Sequence, residues 1–453
     1  MSRRVAILLA IAMAACIFRV ASLDRQAAAQ TTPANIDDSR IAAAGIRTLA
    51  GRHLVLYTDV AAGAAVDSLP ALFDQAVPLW AAYFGVDPAE TAEWRARAFL
   101  IHDREKFVAL GLMPESHELV NGYSVGSDIW LLDQPTDYYR RHLLLHEGTH
   151  AFMTKFLGGC GPGWYSEGMA ELLGTHRLEA GSREQGARGL TLGIMPGDRR
   201  EVPMLGRIKL VRDAVAENHA LGLPAVMEID NRKQLGNDAY AWCWAAAKFL
   251  DSHPRYRARF RALAKHVQDS DFNELVRREF AADWNELLAG WQAYVATLEH
   301  GYDFERMAIR FERGKPLSRE SQTGRGGRQE LKVAADRGWQ SSGVWLEAGK
   351  SYRVTARGRY QIAVEKTAGV EKAWPCEPGG VTIEYHGGRP LGMLVGAIVP
   401  DGAGGGAGFA RPLAIGLEAT IKPEVSGTLY LRVNDSAARL GDNRGALTIR
   451  IAD

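Results

Sequence analysis

The sequence predicts an α+β protein in which a small sheet and a helical block are followed by an all-β sandwich. Up to about residue 300, strand-like segments alternate with helical ones, and continuous helical periodicity begins at Tyr240. Beyond about residue 303 this periodicity is lost, and short β-prone segments are separated by glycine-rich turns. We therefore expect a catalytic-type domain over 46–302, a linker over 303–334 and a β-sandwich over 335–453.

The first 29 residues are predicted to be a secretory signal peptide. Two arginines precede an apolar run of 14 residues, Val5–Phe18, and Ala27–Ala29 supply small residues for cleavage. The run is short for a membrane span. A signal anchor and lipidation at Cys16 are the alternatives, and each of them also implies an extracytoplasmic protein.

The first part of the mature chain alternates between strands and helices. The pattern predicts strands at His53–Thr58, Arg97–Ile101 and Tyr123–Leu132, and helices at Ser68–Phe84 and Arg104–Leu110. The last of these strands comes directly before a helix that begins near Asp137. An edge strand at this place can hold an extended peptide by strand addition. The alternative is a covered, purely structural edge.

A metal-binding pattern lies in the helix that follows. His146-Glu147-Gly148-Thr149-His150 places two histidines four residues apart, on one helix face. Two neutral imidazoles can then bind one ion, and Glu147 can reach a water on that ion. Together these residues are typical of zinc hydrolases, with Glu147 as the general base.

A second helix downstream carries two more carboxylates. Glu167 and Glu171 are four residues apart, in a segment whose Trp164, Met169 and Leu172 indicate burial. Catalytic zinc takes three protein ligands and leaves a position for water. Glu167 is the natural third ligand, and Glu171 can accept the outer N–H of a ligand histidine. A solvated acidic helix face is the alternative, and it fits the apolar neighbours poorly.

The two stretches resemble the gluzincin class of zinc peptidases. His146–His150 followed by Trp164-Tyr-Ser-Glu-Gly-Met-Ala-Glu171 is most similar to the extracytoplasmic bacterial members that read W-x-x-E-G-x-A-E. The resemblance, over residues 45–300, implies that Glu167 is the third zinc ligand and that Glu171 supports a ligand. Members of this class often stabilise the oxyanion with a downstream Tyr or His. Tyr240 is the candidate here, against a packing role, and His176 is a weaker candidate for substrate contact.

The last loop of the chain is rich in oxygen ligands. Asn434–Gly445 contains carboxylate and amide groups of the kind that calcium prefers. Together with Trp345-Leu-Glu-Ala-Gly and Gly427–Asp435, it resembles the bacterial galactose-binding calcium lectin family. That resemblance implies calcium ligands at Asp435, Asp442 and Asn443, a main-chain carbonyl ligand at Arg439 and a carbohydrate partner. The segment 375–380 lacks the His and Gln that these lectins use on the sugar, and an Asx-rich turn without metal is the alternative.

Composition excludes some classes of partner. With 54 Lys+Arg against 53 Asp+Glu, no net charge attracts nucleic acid or a membrane surface. Removal of the signal peptide leaves Cys160, Cys243 and Cys376, too few for a disulfide scaffold. Whether Cys160 and Cys243 pair is left open, as is the oligomeric state.

These patterns predict an exported zinc metallopeptidase that acts on a peptide or protein substrate, with calcium as a second cofactor. One alternative is a surface protein that binds carbohydrate or protein and carries a degenerate peptidase domain. An intact Glu147 beside three ligands counts against that alternative. A hydrolase of non-peptide amides is the other alternative.

We expect the mature protein to lack the signal segment, because the apolar run is short and small residues follow it. N-terminal sequencing of exported material tests this. A mature chain that still begins within residues 1–5 would instead indicate a membrane anchor.

Overall fold

The computed structural model describes residues 36–113, 120–179, 189–230, 235–317, 327–367, 369–402 and 407–453. The predicted signal peptide and residues 318–326 of the predicted linker lie outside these ranges. The chain divides into two compact units. The first comprises residues 1–159 and 176–192, and the second comprises 160–175 and 193–453.

The first unit contains a five-stranded mixed sheet and the helices packed on it. Its strands are β1 (Arg47–Ala50), β2 (Leu54–Thr58), β3 (Ala96–Ile101), β4 (Gly122–Val125), β5 (Asp128–Leu132), β6 (His176–Leu178) and β7 (Leu190–Leu192). Its helices are α1 (Asp38–Ala43), α2 (Ala64–Asp67), α3 (Leu69–Phe84), α4 (Pro88–Thr91), α5 (Arg104–Ala109) and α6 (Asp137–Leu157). The order in the main sheet is β1-β2-β3-β5-β4, and β6 pairs with β7 separately.

The segment predicted as one strand over Tyr123–Leu132 is a hairpin of β4 and β5. The two strands pair antiparallel, with Tyr123 opposite Trp130, and Gly126 in the turn has φ 59°. The small and polar residues Gly126-Ser127-Asp128 mark this turn in the sequence, and the prediction of a single strand overlooks them. The hairpin makes β4 an edge strand of the main sheet.

Helix α6 is held by large aromatic side chains. Phe152 contacts the rings of Trp80, Phe84 and Trp94 at centroid distances of 5.7–5.9 Å. Trp80 and Phe152 are fully buried. Rings of this size bury much apolar area and fix the helix against α3.

The second unit begins with helices. They are α7 (Gly163–Gly174), α8 (Arg207–Ala216), α9 (Leu223–Met227), α10 (Asn237–Ser252), α11 (Arg257–Ala262), α12 (Phe272–Glu279), α13 (Trp284–Thr297), α14 (Phe304–Met307) and, later in the chain, α15 (Ala407–Ala410). Helices α7 and α10 pack closely. A Cβ atom at Gly168 would lie 2.9 Å from the carbonyl oxygen of Cys243, so the absence of a side chain permits the approach.

The rest of the second unit is rich in β-structure. Its strands are β8 (Arg328–Ala334), β9 (Gln340–Leu346), β10 (Tyr352–Arg357), β11 (Tyr360–Thr367), β12 (Val370–Cys376), β13 (Val381–His386), β14 (Arg389–Leu391), β15 (Leu394–Val399), β16 (Leu413–Ala414), β17 (Glu418–Ile421), β18 (Gly427–Val433) and β19 (Ala446–Ala452). Two four-stranded sheets have the orders β17-β10-β19-β8 and β16-β15-β18-β9, and β11–β12 and β13–β14 are separate hairpins.

One apolar core is shared by the two four-stranded sheets. It includes Val354 and Ile449 from the first sheet and Val344 and Leu431 from the second. The predicted α+β class, with a helical block and a β-rich C-terminal region, is confirmed. Among the residues that the structure describes, no helix is long and apolar enough to cross a membrane.

The aromatic packing of α6 predicts that Gly148 tolerates no side chain. A Cβ atom there would lie 2.6 Å from Trp80 Cη2 and 2.8 Å from Phe73 Cε2. We expect Gly148→Ala to destabilise the protein by about 1–3 kcal/mol, as overpacking of a core does. Calorimetric unfolding of the variant and the parent measures the change.

Gly290 in α13 is the matched control, because its Cβ would lie at an ordinary 3.6 Å from Phe249 Cζ. Gly290→Ala should be neutral or stabilise by up to about 1 kcal/mol through helix propensity. Equal stability of the Gly148→Ala variant and the parent would contradict the expectation.

Candidate metal sites

Helix α6 carries the first candidate site. It begins after Thr136, whose hydroxyl oxygen accepts a hydrogen bond from the Tyr139 amide at 3.2 Å and so caps the helix. The buried face includes His142, His146 and Glu147, and His150 is half-buried. Since these histidines are four residues apart, the helical repeat places all three imidazoles along one stripe.

Two groups of side chains have the composition and spacing of a metal site. In the first, ligand atoms of His146, His150 and Glu167 all lie within 4.8 Å of one another. In the second, ligand atoms of His142, His146 and Glu171 meet the same distance. These buried His and Glu groups can therefore hold a metal ion. The first group is the one that the sequence predicts.

Glu147 is buried against the edge strand β4. A Cβ atom at Gly122 would lie 2.7 Å from Glu147 Oε1 and 3.0 Å from its Cγ, so the carboxylate occupies space that a side chain at Gly122 would take. The Glu147 charge affects the neighbouring Tyr123. Its hydroxyl pKa is raised, mainly by burial and further by the Glu147 carboxylate. The Tyr123 phenol on β4 thus lies near the acidic side chain of Glu147 on α6.

Glu171 has a partner that sequence reasoning missed. Arg207, at the start of α8, donates two hydrogen bonds to its carboxylate, from Nε to Oε2 at 2.8 Å and from Nη2 to Oε1 at 2.7 Å. The two side chains are only 7% and 2% exposed. A buried guanidinium that binds both oxygens neutralises the carboxylate and fixes its plane.

The Arg207 pair distinguishes the two groups of ligands. Because the guanidinium already holds both oxygens of Glu171, that carboxylate is a poor ligand for a cation. The group of His146, His150 and Glu167 includes the half-buried His150, whereas His142, His146 and Glu171 are all buried.

Two further residues that the sequence predicts as functional, Tyr240 and His176, lie beside cationic side chains. Tyr240 lies in the first turn of α10, and the Arg207 guanidinium is 5.4 Å from its ring centroid. His176 is buried, and its Nε2 accepts a hydrogen bond from Arg141 Nε at 3.2 Å. The His176 ring is stacked on Tyr138 at 4.6 Å. His176 thus has the hydrogen-bonded, packed surroundings of a structural histidine.

The three described cysteines are all present as thiols, and Cys160 and Cys243 do not form a disulfide. Cys243 is fully buried in α10, where burial raises its thiol pKa most, followed by the charges of Glu167 and Glu171. A thiol held neutral in this way is unreactive, because the thiolate is the form that acts as a nucleophile or metal ligand.

The predicted calcium ligands form the second candidate site, which we call the cation loop, residues 434–443. Asp435 and Asn443 are buried and joined, since Asn443 Nδ2 donates to Asp435 Oδ2 at 3.0 Å. Asn443 Nδ2 also donates to the carbonyl of Ala335 at 3.0 Å. Asp442 approaches from the short helical turn 440–442, where its Oδ2 accepts the Val364 amide at 3.3 Å.

Two oxygen atoms of the cation loop fit a bound ion. Asp442 Oδ1 and Asn443 Oδ1 are buried, and neither accepts a hydrogen bond from any described residue. Burial raises the carboxyl pKa of Asp435, while the hydrogen bonds from Asn443 and Ser436 and the Arg439 guanidinium, 3.6 Å from Asp435 Oδ1, act in the opposite direction. Orphaned hard oxygens around a buried carboxylate are what a calcium ion would satisfy. Residues 434–443 therefore fit the cation that the sequence predicts.

The chain is weakly similar to one lectin domain of known structure. No family model matches the chain, and no curated protein matches it. Among the solved structures that match is a domain described as "EclA N-terminal domain; PllA-like lectin". It is 20% identical, and the match covers 27% of this chain and 93% of that chain at a TM-score of 0.21.

The buried pair of Arg207 and Glu171 leads to a test of stability. Arg207→Met would leave the Glu171 carboxylate buried without its cation, and we expect a loss of about 3–5 kcal/mol. The double variant with Glu171→Gln as well should recover part of this loss, because no uncompensated charge remains. Thermal unfolding of Arg207→Met, Glu171→Gln and the double variant gives the coupling free energy between the two side chains.

The control is the exposed pair of Arg278 and Asp271, whose side chains are 64% and 54% exposed. Arg278→Met should leave stability nearly unchanged, as is usual for surface pairs. Equal effects of the Arg207 and Arg278 substitutions would show that the buried pair has no special role.

Proposed function

We propose that this chain is an exported, zinc-dependent hydrolase of peptide bonds. His146, His150 and Glu167 are the zinc ligands in this proposal, and Glu147 is the general base. The observation that carries it is that the three ligand atoms lie within 4.8 Å of one another, with Glu147 next to His146 on the same helix. Two imidazoles and one carboxylate are a usual ligand set for catalytic zinc.

Zinc held there would lower the pKa of a bound water and polarise a substrate carbonyl. The protein's own contribution to this chemistry is the placement of Glu147. Its carboxylate accepts a proton from water and later delivers it to the leaving amine. The lack of a side chain at Gly122 keeps the space for this carboxylate. The edge position of β4 favours an extended peptide as substrate.

We propose a calcium ion as the second cofactor, bound by the cation loop. The support is the pair of orphaned oxygens on Asp442 and Asn443 beside the buried carboxylate of Asp435. Two carboxylates and an amide give a site of modest affinity, of the kind found in extracellular modules. Calcium abundant outside the cytoplasm would fill such a site.

Substitutions in the first site should separate zinc binding from catalysis. Glu147→Gln should keep zinc but lose about 10²–10⁴-fold in turnover, because only the proton acceptor is removed. His150→Ala and Glu167→Ala should lose zinc as well as activity, because each removes a ligand. Zinc content and hydrolysis of a peptide library, measured on the same preparations, test both expectations.

His219→Ala is the matched control for His150→Ala, since the His219 side chain is 77% exposed. It should keep zinc content and activity. If Glu147→Gln cleaves peptides as fast as the parent, the assigned mechanism is wrong, whatever metal is bound. A parent with full zinc but no peptide hydrolysis would favour a non-peptide amide as substrate.

A further inference from the structure

The cation loop rests on the connector that leaves helix α13, residues 298–303. Ser436 Oγ donates a hydrogen bond to Glu299 Oε1 at 2.6 Å. The Ala438 amide donates to the same oxygen at 3.3 Å. One carboxylate oxygen of the connector thus accepts hydrogen bonds from two residues of the loop.

Backbone contacts extend this attachment. The Asp303 amide donates to the carbonyl of Ala437 at 3.1 Å. A Cβ atom at Gly301 would lie 3.1 Å from Ala438 Cβ, so the two backbones approach closely. From the other side, Arg432 Nη2 donates to the carbonyl of Asp435 at 2.8 Å. The loop is therefore fixed to the connector at several points.

The residues that attach the loop also position its ligands. The Ser436 amide donates to Asp435 Oδ1 at 2.7 Å, while the Ser436 hydroxyl is bound to Glu299. Asp435 Oδ2 is held by Asn443 Nδ2. Ser436 therefore contacts both Glu299 of the connector and the Asp435 carboxylate of the loop. The attachment and the ligand geometry share one residue.

We propose that the cation loop is a calcium-dependent clamp that joins the β-rich region to the connector after α13. The clamp rests on the calcium site proposed above and adds a structural role to it. Docking of the loop on Glu299 orders the ligands, so calcium binding and docking strengthen each other. Such coupling is reciprocal by thermodynamic necessity.

The connector is also hydrogen-bonded to residues 193–196, which follow α7 in space through Thr175. The Gly301 amide donates to the carbonyl of Pro196 at 2.7 Å, and the Gly193 amide donates to the carbonyl of Thr175 at 2.8 Å. Thr175 is the residue that ends α7. Calcium should therefore slow hydrogen exchange of the amides of Gly301 and Asp303, at the centre of the clamp.

Calorimetric titration of calcium chloride into the chelator-treated full chain tests the clamp. We compare the parent, Glu299→Gln and Glu305→Gln. The Glu305 side chain is exposed and forms no ion pair with a described residue, so it is the matched control. Glu299→Gln should weaken calcium binding by roughly tenfold, because the acceptor of the two hydrogen bonds loses its charge and both bonds become weaker. Glu305→Gln should leave the affinity unchanged.

Ser436→Ala is the second variant, and it removes one hydroxyl without a change of charge. It should weaken calcium in the same direction and abolish the calcium-dependent slowing of exchange at Gly301 and Asp303. Unchanged affinity in both Glu299→Gln and Ser436→Ala would overturn the clamp while leaving the calcium site intact. Absence of calcium binding by the parent would overturn both, and zinc content and hydrolysis would still test the first site separately.

Discussion

The burial of carboxylates is the constraint on which the first site depends. Glu147, Glu167 and Glu171 are each less than 8% exposed. A buried carboxylate costs several kcal/mol unless cations or hydrogen-bond donors surround it. Arg207 meets this need for Glu171, and it does so from α8, far along the chain. His146, His150 and Glu167 form a group that can hold a metal ion.

The scaffold of the site consists of helices and a strand edge, and this suits a site that needs fixed geometry. Aromatic rings hold α6 along its length, and Gly168 allows α7 to approach α10 closely. Gly122 leaves room for the Glu147 carboxylate. Glycines thus allow close approach of backbones and side chains, and large aromatic rings keep the helix in place.

Sequence spacing predicted those parts of the structure that depend on local periodicity. The shared face of His146 and His150 follows from helix geometry. The burial of Glu167 follows from its apolar neighbours, and the α+β class follows from the change in periodicity. Arg207 could not be found in this way, because it meets Glu171 across 36 residues. The same spacing rule, extended one turn back, would have pointed to His142. The turn at Gly126 has a local signal in Gly126-Ser127-Asp128, which the prediction of one strand overlooks.

The two candidate sites differ in ligand chemistry in a way that separates the ions they would hold. Imidazole nitrogens and one carboxylate on rigid helices favour zinc, whereas carboxylate, amide and carbonyl oxygens in a loop favour calcium. Glu299 reaches Ser436 across 137 residues, so the cation loop is ordered by tertiary contacts rather than by its own sequence. An Asx-rich turn gains a fixed ligand geometry only when such contacts hold it. The environment of the loop, more than its composition, therefore decides whether it binds an ion.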